Sequence, residues 1–161
     1  MKLTVERNNL TGALQRAGRA VQRSSIPILE MVKLVAENGT LRICATNMVV
    51  WHEESLPANL DEDGALCVSH TRLSGIANGA DAGSQIALHA ADTQLHVNVG
   101  RARFKLSTLP PADWPQAPNI DMEESEVGAA GFLTALSRCL PCVAAADEPR
   151  KIGRASCRER V

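Results

Sequence analysis

Residues 2–23 read KLTVERNNLTGALQRAGRAVQR, and two periodicities meet inside this stretch. Lys2 to Arg7 alternates apolar and polar side chains with a period of two, as a half-buried strand does. After Asn8-Asn9, a fair N-cap pair, Leu10, Leu14, Ala17 and Val21 recur at i, i+4, i+7 and i+11. That spacing lays one apolar stripe along a helix predicted to run to about residue 22. A strand that feeds directly into an amphipathic helix calls for helix packed on sheet.

The pattern continues outward from there. Pro27 ends the helical region, and Ile28 to Glu37 reads as a strand. Asn38-Gly39 is a two-residue hairpin signal leading into Leu41–Ala45, with a further strand from Val49 to Leu56. Asp61-Glu62-Asp63-Gly64 reads as a polar turn, after which the order restarts. Ala65–Val68 is a strand and His70–Asn78 a helix carrying Leu73, Ile76 and Ala77. Asp81-Ala82-Gly83 then turns the chain into strands Gln85–Ala90, Leu95–Val99 and Ala102–Leu106. Strand-helix-strand-strand-strand thus appears twice in about 108 residues. The expected class is α+β, with helices on one face of antiparallel sheets. Leu109–Pro115 reads as a linker, Asp121–Glu126 as an acidic stretch, and Gly131–Ala146 as a further helix. We therefore expect one domain over 1–120 and the start of a second over 121–150.

Composition narrows the function classes. The chain is 45% hydrophobic and 22% charged, enough to build an ordinary core. Its aromatic residues are Trp51, Phe104, Trp114 and Phe132, with no tyrosine, so the core must be aliphatic. The same scarcity argues against a sheet that stacks RNA bases. No apolar run approaches the ~20 residues of a membrane span. The charged first residues, without an apolar run behind them, lack a secretory signal. A cytosolic location with reduced thiols is the expectation. Residues 151–161, KIGRASCRERV, look like translated sequencing-adapter DNA and are expected to be foreign to the protein. Setting aside their four basic residues and one acidic residue changes the net charge from −1 to −4.

Against that acidic background the first helix stands out. At 100° per residue from Leu14, Arg16, Arg19 and Arg23 fall at about 200°, 140° and 180°, opposite the apolar stripe. No acidic residue occurs between Asn8 and Arg23. An all-basic face on an acidic chain points to an anionic partner, although three charges also suit an ordinary solvated face. A second cluster, Arg101, Arg103 and Lys105, alternates with Ala102, Phe104 and Leu106. It suits either a contact surface or an edge strand protected by charge.

Cys139-Leu140-Pro141-Cys142 has the spacing of a redox pair or half a zinc site. A second ligand pair is missing, and both cysteines lie inside a helical pattern instead of opening a helix. Packing thiols are the simpler reading. His52-Glu53-Glu54-Ser55-Leu56 lacks the second histidine of a zincin. His89 and His96 flank a hairpin and share a face only by accident of register. Asp61–Asp63 lacks calcium-loop spacing. No phosphate-binding glycine motif occurs. No catalytic group, metal or cofactor is expected.

The repeat and several motifs resemble those of the bacterial sliding clamp family, the beta subunit of DNA polymerase III. The motifs are Met1–Arg7, Ile26-Pro27-Ile28-Leu29, Ala45-Thr46-Asn47 and, most specifically, GRARFKLSTLPPADWP at 100–115. The resemblance covers residues 1 to about 150 and implies a DNA-clamp fold. It implies a non-catalytic processivity factor that encircles duplex DNA as a ring and tethers the polymerase, here represented by a truncated chain. Arg16, Arg19 and Arg23 would then face the phosphate backbone, with Arg138 of the second domain. Arg72, Ile76, Arg101, Arg103 and Phe104 would meet a second copy in a homodimer. DNA polymerase III and the clamp loader are the further implied partners, reached through domains absent from this sequence. Asn47–His52 is more apolar than the corresponding family segment, and Pro141 is expected to kink its helix. The alternative from another class is a small cytosolic thiol oxidoreductase using Cys139 and Cys142.

Overall fold

The computed structural model describes residues 1–117 and 126–143, so the expectations for 121–125, 144–150 and the tail 151–161 lie outside the described residues. Two compact units are found, Met1–Pro118 and Asn119–Val161. In the first unit, β1 (Lys2–Glu6) runs straight into α1 (Arg7–Ala17). There follow β2 (Met31–Glu37), β3 (Thr40–Thr46), β4 (Trp51–Pro57), β5 (Asn59–Glu62) and β6 (Gly64–Ser69). Next come α2 (His70–Gly79), β7 (Gln85–Ala91), β8 (Gln94–Val99) and β9 (Ala102–Leu109). All strand pairs are antiparallel, in the order β4-β3-β2-β6-β9-β8-β7-β1-β5.

The two βαβββ halves are interleaved through their first strands. β1 pairs with β7 of the second half, and β6 pairs with β2 of the first. Alternation along each strand turns Leu3, Val5, Val32, Leu34, Leu41, Ile43, Leu66, Val68, Ile86, Leu88, Leu95 and Val97 to one face, all essentially inaccessible to water. On them sit Leu10, Ala13, Leu14 and Ala17 of α1 with Leu73 and Ala77 of α2, closing an aliphatic core. The opposite face carries a smaller cluster of Ile28, Leu29, Cys67 and Trp114. Trp114, read from sequence as part of a linker, is 7% exposed and covers β6.

Four sequence expectations are corrected. First, Asp61–Gly64 is not a turn. Asn59–Glu62 is a strand paired with β1, and the same run of chain continues as β6 against β2. The crossing falls at Gly64, whose φ of 153° suits glycine, and a Cβ there would lie 2.9 Å from the Met1 Cβ. Second, α1 begins at Arg7, and Glu6 stands where Asn8-Asn9 was expected to cap, its carboxylate accepting from both asparagine amides (3.3 and 3.4 Å). Third, α1 ends at Ala17, five residues early. The next turn tightens to i→i+3 bonds, Arg19 N–H to Arg16 O at 3.1 Å and Ala20 N–H to Ala17 O at 2.9 Å. Fourth, Pro27–Glu30 forms a short 3-10 turn with proline at its start, so β2 begins at Met31.

α1 and α2 run antiparallel and are tied at both ends. Arg7 donates from Nε to the Ala77 carbonyl (3.1 Å) and from Nη2 to that of Asn78 (3.2 Å), satisfying the last turn of α2 with a cation. At the other end the His70 ring meets the Leu14 carbonyl (2.9 Å) and the Ser74 hydroxyl (3.1 Å). Gly18 makes room for that ring, since a Cβ there would lie 2.8 Å from His70 Cε1. Gly12 has no such neighbour; a Cβ there would only touch the Arg16 guanidinium at 3.4 Å.

In the second unit α3 (Ala129–Cys139) is followed by a 3-10 turn, Leu140–Cys142. Pro141 therefore ends the α-helix instead of kinking it, because it lacks the N–H that would continue the ladder.

Three outcomes follow for stability in urea. Gly18→Ala lowers it by about 1–2 kcal/mol by displacing a hydrogen-bonded ring, while Gly12→Ala raises it by about 0.5–1 kcal/mol through helix propensity. Gly64→Ala costs about 1–3 kcal/mol through backbone strain. A neutral Gly64→Ala midpoint would show that the strand crossing is not anchored there.

Candidate nucleic-acid interface and subunit groove

Because α1 stops at Ala17, its three arginines do not form one helical stripe. Arg16 sits in the last turn, Arg19 in the tight turn after it, and Arg23 in irregular chain beyond. All three side chains are exposed at one end of the helical layer. Arg19 and Arg23 form no ion pair among the described residues. A small cleft of about 190 Å³ brings Gln22, Arg23 and Ser24 beside Asn47 of the β3–β4 turn. That turn is rigidly built: Asn47 Oδ1 accepts from the N–H groups of Val49 (3.1 Å) and Val50 (2.7 Å), and Thr46 Oγ1 joins Met48 N–H to the Val50 carbonyl. It presents Met48, Val49 and Val50 to solvent.

Arg16 differs from the other two. It donates to Glu54 of β4 through Nε (2.8 Å) and Nη2 (2.5 Å), a bidentate pair. The Arg16 guanidinium holds the Glu54 carboxyl below the usual carboxylate range. Sequence reading found no acid between Asn8 and Arg23 and missed this partner from another element. The signal was present. Leu56 is a core residue, so period two puts Glu54 and His52 on the helix side of β4.

The second site is a groove of about 810 Å³ between α2 and β8–β9. Arg72 and Ile76 reach it from α2, and Arg101 and Phe104 from the β8–β9 turn and β9. Gly75 and Gly79 lie on the same face of α2 and leave the groove open, since a Cβ at either would meet nothing within 4 Å. Their spacing from Arg72 and Ile76 (72, 75, 76, 79) was the sequence signal, and it went unread. Phe104 is 39% exposed at the groove wall. Arg103 is placed elsewhere: β9 alternates, so Arg103 and Lys105 point to the opposite face from Phe104 and Leu106.

The remaining candidates do not assemble a reaction centre. Arg138 occupies the last turn of α3, where a cation suits the carbonyl end. Cys139 is the final residue of α3 and Cys142 ends the 3-10 turn; both are exposed, correcting the expectation of buried thiols inside a helix. In the first unit burial pushes the Cys44 and Cys67 thiols up to about 11, the former also through Glu53. His89 and His96 do share a face, directly opposite in the β7–β8 register with ring centroids 6.1 Å apart. Lys2 and Lys105 stand opposite them on the outer strands. Among the described residues no group of three or more side chains could hold a metal ion, and no helix is long and apolar enough to cross a membrane.

The family model for the DNA polymerase III beta subunit, N-terminal domain, matches residues 1–118. The beta sliding clamp of Escherichia coli K12 is 36% identical over 133 residues, 79% of this chain and 34% of the relative. That of Vibrio harveyi is 33% identical over 129 residues, covering 79% of this chain and 87% of the relative. Among solved structures, the DNA polymerase III subunit beta of Pseudomonas aeruginosa superposes with a TM-score of 0.84 at 27% identity, over 93% of this chain and 41% of that one. The sliding clamp of Caulobacter crescentus gives 0.71 at 32% identity, over 74% and 33%. The chain spans about a third of the length of its Escherichia coli relative. Matched in sequence over its whole first unit and in fold to these structures, the chain belongs to the DNA polymerase III beta subunit family.

Proposed function

We propose that this chain supplies the first domain of a sliding clamp, a ring that encircles duplex DNA and keeps DNA polymerase III on its template during replication. The role is mechanical and needs no catalytic group. Family membership supports it, and the observation that carries it to particular residues is a pair of exposed arginines at the end of the helical layer, Arg19 and Arg23, which form no ion pair among the described residues. Phosphate contacts from such residues hold DNA without reading its sequence, which sliding requires. Arg23 beside Asn47 forms a polar recess suited to a phosphate oxygen. Arg16 is assigned to the same surface, and Arg138, within the second unit, is assigned a DNA contact of its own. Cytoplasmic residence belongs to this reading.

The α2–β9 groove is assigned to a second copy of the protein. Phe104 is its apolar anchor, with Ile76 beside it and Arg72 and Arg101 on the rim. Arg103, on the other face of β9, is at most peripheral to that contact. Ring closure, the clamp loader and docking of the polymerase need the further two-thirds of such a protein's length.

Two measurements bear on this reading. In an amide NMR titration with a short duplex at low salt, shifts concentrate at residues 19–24 and Asn47, and Arg19→Glu with Arg23→Glu abolishes them. Shifts located elsewhere and unaffected by the reversal would refute the DNA-facing assignment. In a clamp carrying this domain, Phe104→Asp weakens dimerisation at least about tenfold in sedimentation, as loss of a central aromatic anchor does. An unchanged dimer would remove the groove from the interface.

A further inference from the structure

Arg16 sits among the residues assigned to DNA, yet its charge is already engaged. Glu54 takes both Nε and Nη2 in a side-on pair, the tightest geometry available to a guanidinium and a carboxylate. The guanidinium is also folded back along its own helix, over Gly12, 3.4 Å from where a Cβ at that position would stand. Glu54 is one-quarter exposed, and its Oε2 lies 3.5 Å from Nε2 of His52, a buried nitrogen with no hydrogen-bond partner among the described residues. The two bonds to Arg16 thus tie the carboxylate of β4 to the last turn of α1. Arg19 and Arg23, a few residues further on, have no such partner among the described residues.

From this arrangement we infer that Glu54 is an affinity-setting residue of the DNA-facing surface. It keeps Arg16 occupied, so that a backbone phosphate reaches this arginine only by displacing a carboxylate. The inference rests on the assignment of this end of the helical layer to DNA. Physically, a phosphate arriving at Arg19 or Arg23 releases counterions and displaces no ion-paired carboxylate among the described residues. One arriving at Arg16 must break two charge-assisted hydrogen bonds and then lie beside the expelled carboxylate. The exchange is close to neutral where a free arginine would bind. Glu54 thus removes one cation from the resting grip and lowers the hold on DNA, as suits a ring that must slide.

The test is a set of matched variants of the 161-residue chain, titrated by NMR and fluorescence anisotropy with a short duplex. Glu54→Gln keeps the shape and removes the charge. It is expected to raise affinity on the order of tenfold in about 50 mM salt, and to steepen the slope of log K against log salt by about 0.9, the signature of one added phosphate contact. Glu53→Gln, the same charge change on the other face of β4, controls for net charge and should give a small rise with no change of slope. Arg16→Ala placed in the Glu54→Gln background removes the whole neutral pair, and should erase the gain and return affinity to within about twofold of the native chain. The inference is overturned if Glu54→Gln matches Glu53→Gln, or if the gain survives in the Glu54→Gln, Arg16→Ala double variant. Should Arg19→Ala and Arg23→Ala also leave binding untouched, the DNA-facing assignment itself fails, an outcome distinct from failure of the Glu54 role alone.

Discussion

One run of chain, residues 59–69, serves two partners, and the architecture of the first unit depends on it. Its first part hydrogen-bonds to β1 and its second to β2, with the change of partner at Gly64. Since β1 lies in turn against β7, each half of the repeat donates its first strand to the other half's neighbourhood. Neither half can bury its apolar face alone. The core forms only when both helices cover a sheet built from both halves.

That interleaving places the two helices side by side where α1 stops. His70, at the start of α2, meets the Leu14 carbonyl, which also accepts from the Gly18 N–H (2.9 Å), and occupies the space beside Gly18. The helix tightens and ends there, so Arg19 and Arg23 leave the cylinder and stand at the rim of the layer next to the β3–β4 turn. The basic surface is thus a product of how a helix ends as much as of which residues it contains. Arg16, still within the last turn, stays within reach of β4 and is captured by Glu54.

Much of this was legible in the sequence where the signal was local. Period-two alternation identified eight strands of the nine, Asn38-Gly39 marked its hairpin, and Leu10, Leu14 and Ala17 gave the buried stripe of α1. The failures share a cause, which is that the deciding partner lay far away in sequence. Asp61–Gly64 has the composition of a turn, yet pairing with β1 and then β2 makes most of it strand. The helix end at Ala17 lies against His70, and the state of Arg16 depends on Glu54. His89 and His96 face each other only because the hairpin register fixes it. Of the groove residues, Arg72, Ile76, Arg101 and Phe104 come together, while Arg103 is sent to the far face by the alternation that had been read on that same strand.

The functional reading reduces to a statement about charge. In the proposed reading, a net acidic chain presents at one end of its helical layer two exposed arginines, Arg19 and Arg23, that would meet phosphates and leave the bases unread. The decisive measurement is the salt dependence of binding to two short duplexes of unrelated sequence. Contacts from Arg19 and Arg23 predict a slope of log K against log salt near about −2, from about −0.9 per phosphate, and the same slope and affinity for both duplexes. Binding that ignores salt, or that separates the two sequences by more than about tenfold, would contradict a surface built to hold DNA without stopping it.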